Sequence, residues 1–105
     1  MFFSGFSELK GMTQERTDLK LKEIVNVDDN SYLVSTCWTP DKGYETMVFE
    51  SRYQPETKNE ETINYDLINF SGIHESHYET IEEMEKGHRL ICANLKKILF
   101  TQNLL

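Results

Sequence analysis

The residues best able to do chemistry lie in the last third of the 105-residue chain: His74-Glu75-Ser76-His77, then His88 and Cys92. His88 and Cys92 are four apart, which on a helix puts two donors on one side, and imidazole and thiolate both suit zinc. Both also fall inside an apolar stripe, where a histidine hydrogen-bonded to a strand hydroxyl or backbone explains the pattern without metal. His74 and His77 lack the HExxH spacing that sets two histidines one helical turn apart. No metal ligand and no cofactor is therefore expected.

The acids give no clearer catalytic signal. General acid–base work by paired carboxylates needs two acids held across a cleft in different environments. Here they gather in loops and in the run Glu79, Glu82, Glu83 and Glu85, where solubility and helix capping account for them. No GxSxG elbow, phosphate-binding glycine loop or dinucleotide fingerprint is present. Cys37, beside Trp38, has no surrounding signature of a nucleophile. The expectation is a protein that is not an enzyme.

These residues must be positioned by the segment YETIEEMEKGHRLICANLKKILF, Tyr78 to Phe100. Thr80 with Glu83 forms a capping box, and Glu82, Glu83 and Glu85 place negative charge at the positive end of the helix dipole. Ile81, Met84, His88, Ile91, Cys92, Leu95, Ile98 and Leu99 then trace one helical face. Gly87 borders that stripe and costs a helix interior up to about 1 kcal/mol relative to alanine, a cost that close packing would offset.

The preceding chain reads as short strands. Leu19, Leu21, Val25 and Val27 alternate with polar residues, and Glu23 falls on the apolar side, which implies a sheet edge or a bulge near Ile24. Asp28-Asp29-Asn30-Ser31 is a turn cluster. SYLVSTCW and YETMVFE flank the turn Thr39-Pro40-Asp41-Lys42-Gly43, so Tyr32 to Trp38 should pair with Tyr44 to Glu50 as a hairpin. Residues 51–62 are polar and rich in Glu, and read as a mobile acidic loop. Ile63 to Phe70 alternates weakly as a possible edge strand. Ser71-Gly72 should break it, leaving a short last strand from Ile73 to Glu79. The predicted architecture is one α+β domain: an antiparallel sheet of four or five strands with the C-terminal helix on one face.

Composition narrows the partners. A net charge of −7, with 11 Lys and Arg against 18 Asp and Glu, argues against direct nucleic-acid binding, which needs clustered cations. No window approaches the roughly 20 apolar residues of a membrane span. The start MFFSGF has no basic region before it, so a signal peptide is not expected. The two cysteines lack metal or redox spacing and read as free buried thiols of a reducing, cytoplasmic setting.

One helix covers one sheet face. Tyr32, Val34, Trp38, Tyr44 and Val48 would load the opposite face, and an apolar patch of that kind marks an interaction surface. The arm of residues 1–12, carrying Phe2, Phe3 and Phe6, is one candidate cover and a second copy of the chain is another. Arm exchange in a homodimer would combine the two.

Three pieces, Val34-Ser35-Thr36, Tyr44-Glu45-Thr46-Met47-Val48-Phe49, and Tyr78-Glu79-Thr80-Ile81-Glu82-Glu83 running to Gly87-His88, occur in an order that resembles a group of small bacteriophage and prophage proteins. The resemblance spans Val34 to His88 and leaves out the N-terminal third and the Ser51 to Ser76 stretch. It implies a phage-encoded accessory protein without assigned catalytic residues, and a strand-to-helix junction held by Thr80, Gly87 and His88. Three functions stand as expectations: a non-enzymatic protein acting through protein–protein interaction, which is favoured, an acidic inhibitor of a host nucleic-acid-binding defence enzyme, and, last, a metal-dependent enzyme. The inhibitor would present Glu75, Glu79, Glu82, Glu83 and Glu85 where phosphates bind.

Overall fold

A computed structural model describes residues 20–103, so the N-terminal arm, Leu19, Leu104 and Leu105 lie outside the described residues. Four strands, β1 (Lys20–Val27), β2 (Asn30–Thr39), β3 (Gly43–Ser51) and β4 (Ile68–Tyr78), form one antiparallel sheet in the order β1-β2-β3-β4. Two helical pieces follow, α1 (Ile81–Ala93) and α2 (Leu95–Thr101). The α+β reading of the sequence is therefore what the chain adopts.

Local chemistry sets the turns. Asp28 takes a left-handed φ of 55° between β1 and β2, and Gly43 one of 72° where the second hairpin turns. That hairpin has the expected register, with Tyr32 opposite Glu50 and Trp38 opposite Tyr44. Thr80 caps α1 by accepting from the Glu83 N–H at 3.1 Å, while the Glu83 side chain accepts from the Glu79 N–H at 3.2 Å. Asn94 ends α1 by donating from its backbone to the Leu90 and Ile91 carbonyls, so the expected single helix is two pieces with a bend between them.

Ser71-Gly72 does not break the last strand. β4 runs through both and absorbs the irregularity as a register shift opposite Val48 and Glu50. An ideal Cβ at Gly72 would stand 2.5 Å from Met47 Cε, so the absence of a side chain lets Met47 cross there. Tyr65–Leu67, expected to be strand, is a short 3-10 turn capped by the Asn64 side chain.

The helices bury their stripe on one sheet face. Ile91, Leu95 and Leu99 pack with Val27, Tyr32, Val34 and Val48 in the main core. The sequence places Tyr32, Val34, Trp38, Tyr44 and Val48 on the face away from the helix, and this is corrected: β-strand alternation puts all five on the helix side. Tyr32, Val34 and Val48 are fully buried there, while Trp38 and Tyr44 are half-buried at its far end. Both sides of β2 are apolar, so alternation alone cannot say which side meets the helix.

The other face has its own cover. Ile24, Leu33 and Ile63 form a second buried cluster, flanked by Phe49, Tyr65 and Ile68. Its cover is Ile63, Tyr65 and Ile68, which follow the segment whose composition suggests a mobile acidic loop, and that segment is itself held in place. Gln54 is buried; its side chain accepts from the Asn64 N–H at 3.0 Å and donates to the Asn64 carbonyl at 3.2 Å. Farther along, Thr57 and Ile24 exchange backbone hydrogen bonds of 2.8 and 3.3 Å, and Glu56 accepts from the Asn26 N–H at 2.9 Å. Polar residues thus fasten this segment along the outer edge of β1 by hydrogen bonds that composition does not reveal.

Candidate functional site

The largest concentration of buried polar chemistry lies where α1 crosses the sheet. His88 is 3% exposed, and its Nε2 is 2.7 Å from Glu23 Oε2. A carboxylate only accepts, so Nε2 carries the proton and donates to Glu23. On the far side of the ring, Thr36 Oγ1 lies 2.6 Å from Nδ1 and also 2.6 Å from Thr46 Oγ1. One consistent chain follows: the Thr46 hydroxyl donates to Thr36, Thr36 donates to Nδ1, and Nε2–H donates to Glu23. Both threonines are 0% exposed, so each depends on this chain for its hydrogen bonds.

The position of Glu23 is thereby explained. β1 pairs with β2 without a bulge, and Glu23 sits opposite Val34 on the helix side. It is at an edge strand, as one of the two sequence alternatives held, and it is half-buried because His88 meets it.

Cys92, one helical turn beyond His88, has its Sγ 3.6 Å from Nε2. Burial first, and then the Glu23 carboxylate, push this thiol well above its ordinary range. It therefore stays protonated at neutral pH, which is the opposite of an activated nucleophile. A Cys–His–acid relay also needs cysteine and acid on different ring nitrogens. Here both approach Nε2 and a threonine holds Nδ1, so the group as it stands joins helix to sheet. Cys37 and Cys92 are free and half-buried, less enclosed than the sequence suggests.

A second cluster lies on the outer sheet face near the end of β4. His77 Nε2 is 2.7 Å from Glu75 Oε2, and its Nδ1 is 3.8 Å from Glu45 Oε1. The hydrogen bond from His77, helped by Lys42, holds the Glu75 carboxyl below the usual range. Glu45 Oε1 is buried with no hydrogen-bond partner among the described residues. His74 faces the opposite way, with Nδ1 2.6 Å from Gln102 Oε1.

No family model, curated protein or solved structure matches this chain.

The sequence-derived sites are dispersed by the fold. Of the acidic set, Glu83 is used in the helix cap, Glu75 bonds His77, and Glu85 lines a cleft with Lys20, Lys22, Lys58 and Arg89. Glu79 and Glu82 are exposed at the helix start. Thr80 caps α1, whereas Gly87 and His88 lie at the middle of that helix. The ring of Tyr78 occupies the space a side chain at Gly87 would need, its Cε1 overlapping an ideal Cβ. Among the described residues, sequence reasoning missed that Glu23 joins His88 and that the exposed sheet edge runs on from Phe70 to Tyr78, because both are properties of topology.

Proposed function

We propose that this is a non-enzymatic protein that works by protein–protein association, with a second copy of the chain as its partner, in the phage or prophage setting its sequence patterns imply. The observation that carries the reading is the edge of β4, which among the described residues is met only by the Gln102 side chain at Ile73. Unpaired strand edges template pairing with another chain, and folded proteins normally blunt them. β1 is blunted by Thr57 and Glu56 and carries Lys20 and Lys22. β4 is 11 residues long, contains no Lys, Arg or Pro, and has no strand on its outer side among the described residues.

The register of the pairing follows from which groups face out. Gln102 Nε2 donates to the Ile73 carbonyl from outside the sheet, so the Ile73 backbone groups point away from β3. Alternation directs those of Glu75 and His77 the same way. A two-fold axis at Glu75 would set like charges opposite each other, which is unfavourable. An axis at Ser76 sets Glu75 opposite His77 of the second copy, complementary in charge and in hydrogen bonding. Two such copies would share one continuous eight-stranded sheet.

Light scattering on the full chain at micromolar concentration tests this, and twice the 12.4 kDa chain mass is expected. Glu75→Pro removes an outward N–H without touching the ladder to β3 and should yield monomer. His77→Lys keeps the charge complement and should remain dimeric. A monomeric parent chain, or a dimer indifferent to Glu75→Pro, would overturn the proposal.

A further inference from the structure

We propose that Glu23, His88 and Cys92 form a binding site for a divalent transition cation, zinc by the chemistry of its donors. One carboxylate oxygen, one imidazole nitrogen and one sulfur converge here, all within 4.8 Å of one another. Imidazole, thiolate and carboxylate are the donor set of zinc sites, and three protein donors leave a fourth position for solvent or an exogenous group. Two of the three are set by helical spacing on α1, and the third arrives from β1. The sequence shows only the first two, because nothing local links Glu23 to a helix 65 positions away.

Two further features support a cation site beyond the proximity of donors. A metal-bound histidine ordinarily donates its remote ring N–H to a fixed acceptor, which sets the ring's orientation. Thr36 Oγ1 stands in that position at 2.6 Å from Nδ1, anchored in turn by Thr46. The site is also reachable. Glu23 lies on the wall between two clefts of about 580 and 260 Å³, with Cys92 lining the larger and His88 the smaller. Lys58 and Arg89 line both clefts but are opposed by Glu56 in the larger and by Glu60 and Glu85 in the smaller, so solvent is the expected occupant of the fourth position.

Proton balance is straightforward. In the metal-free arrangement Nε2 carries the imidazole proton and Cys92 is a thiol. On binding, the ring proton moves to Nδ1, where Thr36 Oγ1 accepts it, and Nε2 ligates the metal. The thiol proton is released to solvent. Thiolate, carboxylate and divalent cation then sum to zero charge, which suits a half-buried position. The 2.7 Å contact between Nε2 and Glu23 opens slightly to admit the ion.

The test uses the full chain stripped of metal and titrated with cobalt(II), then zinc. One equivalent of cobalt should bind with the visible absorption of a tetrahedral, thiolate-ligated ion, and zinc should displace it. In the unmodified protein, zinc should slow alkylation of Cys92 while leaving Cys37 unaffected, a readout that needs no variant to fold. Glu23→Gln should weaken zinc binding more than about tenfold, since losing even a supporting group outside the ligand shell costs that much. His77→Gln, in the exposed cluster of Glu45, Glu75 and His77, should leave binding unchanged. The proposal is overturned by the lack of a thiolate–cobalt band, by zinc-independent alkylation of Cys92, or by binding that follows His77 instead of Glu23.

Discussion

Replacing Thr36 by valine tests whether the buried chain from Thr46 to Glu23 holds α1 to the sheet. The substitution nearly preserves shape, and valine suits a strand, so packing changes little. It removes both hydrogen bonds of Thr36 at once, leaving His88 Nδ1 and Thr46 Oγ1 unpaired in a site where Thr36, Thr46 and His88 are 0, 0 and 3% exposed. Each orphaned buried group costs roughly 1–3 kcal/mol, so Thr36→Val should destabilise by about 2–6 kcal/mol. Thr46→Val instead leaves Thr36 bonded to His88 and should cost only about 1 kcal/mol. The double variant removes both hydroxyls and orphans only Nδ1, so it should be more stable than Thr36→Val alone. Urea unfolding followed by circular dichroism would report this as midpoints at constant slope. Additive effects of the two substitutions, or equal costs for each, would refute the chain as drawn.

Two further substitutions probe packing, beside the β4-edge and cation-site tests above. Gly87→Ala should destabilise by about 1–3 kcal/mol in thermal unfolding, despite alanine's better helix propensity, because its Cβ would enter the Tyr78 ring. In a Tyr78→Ser background the same change should become neutral or stabilising. Tyr65→Phe should stabilise by about 1 kcal/mol, since the Tyr65 hydroxyl is buried without a hydrogen-bond partner among the described residues. A loss of stability in that variant would mean that the hydroxyl has a partner.

Acidic charge in β4 and at the start of α1 has the composition of a phosphate mimic, yet the fold gives two of those acids other work. Glu83 closes the cap and Glu75 bonds His77. The β4 edge and the Glu23–His88–Cys92 group are separate features with separate tests, and either can stand without the other.

What the sequence by itself determined is local. The Thr80 cap, the helical stripe from Met84 to Leu99, the turns at Asp28 and Gly43 and the β2–β3 hairpin depend on neighbours within a few positions, where propensity and periodicity act directly. Tertiary structure decided the rest. Leu33 and Val34 are buried on opposite faces of β2, and only the packing of α1 shows which face forms the main core. Gln54 and Thr57 look like solvated residues until Asn64 and Ile24 meet them. Glu23 reads as a flaw in a strand's alternation until His88 reaches it. Each of these depends on a partner that is not its neighbour in sequence, and chain topology, not local pattern, brings such partners together.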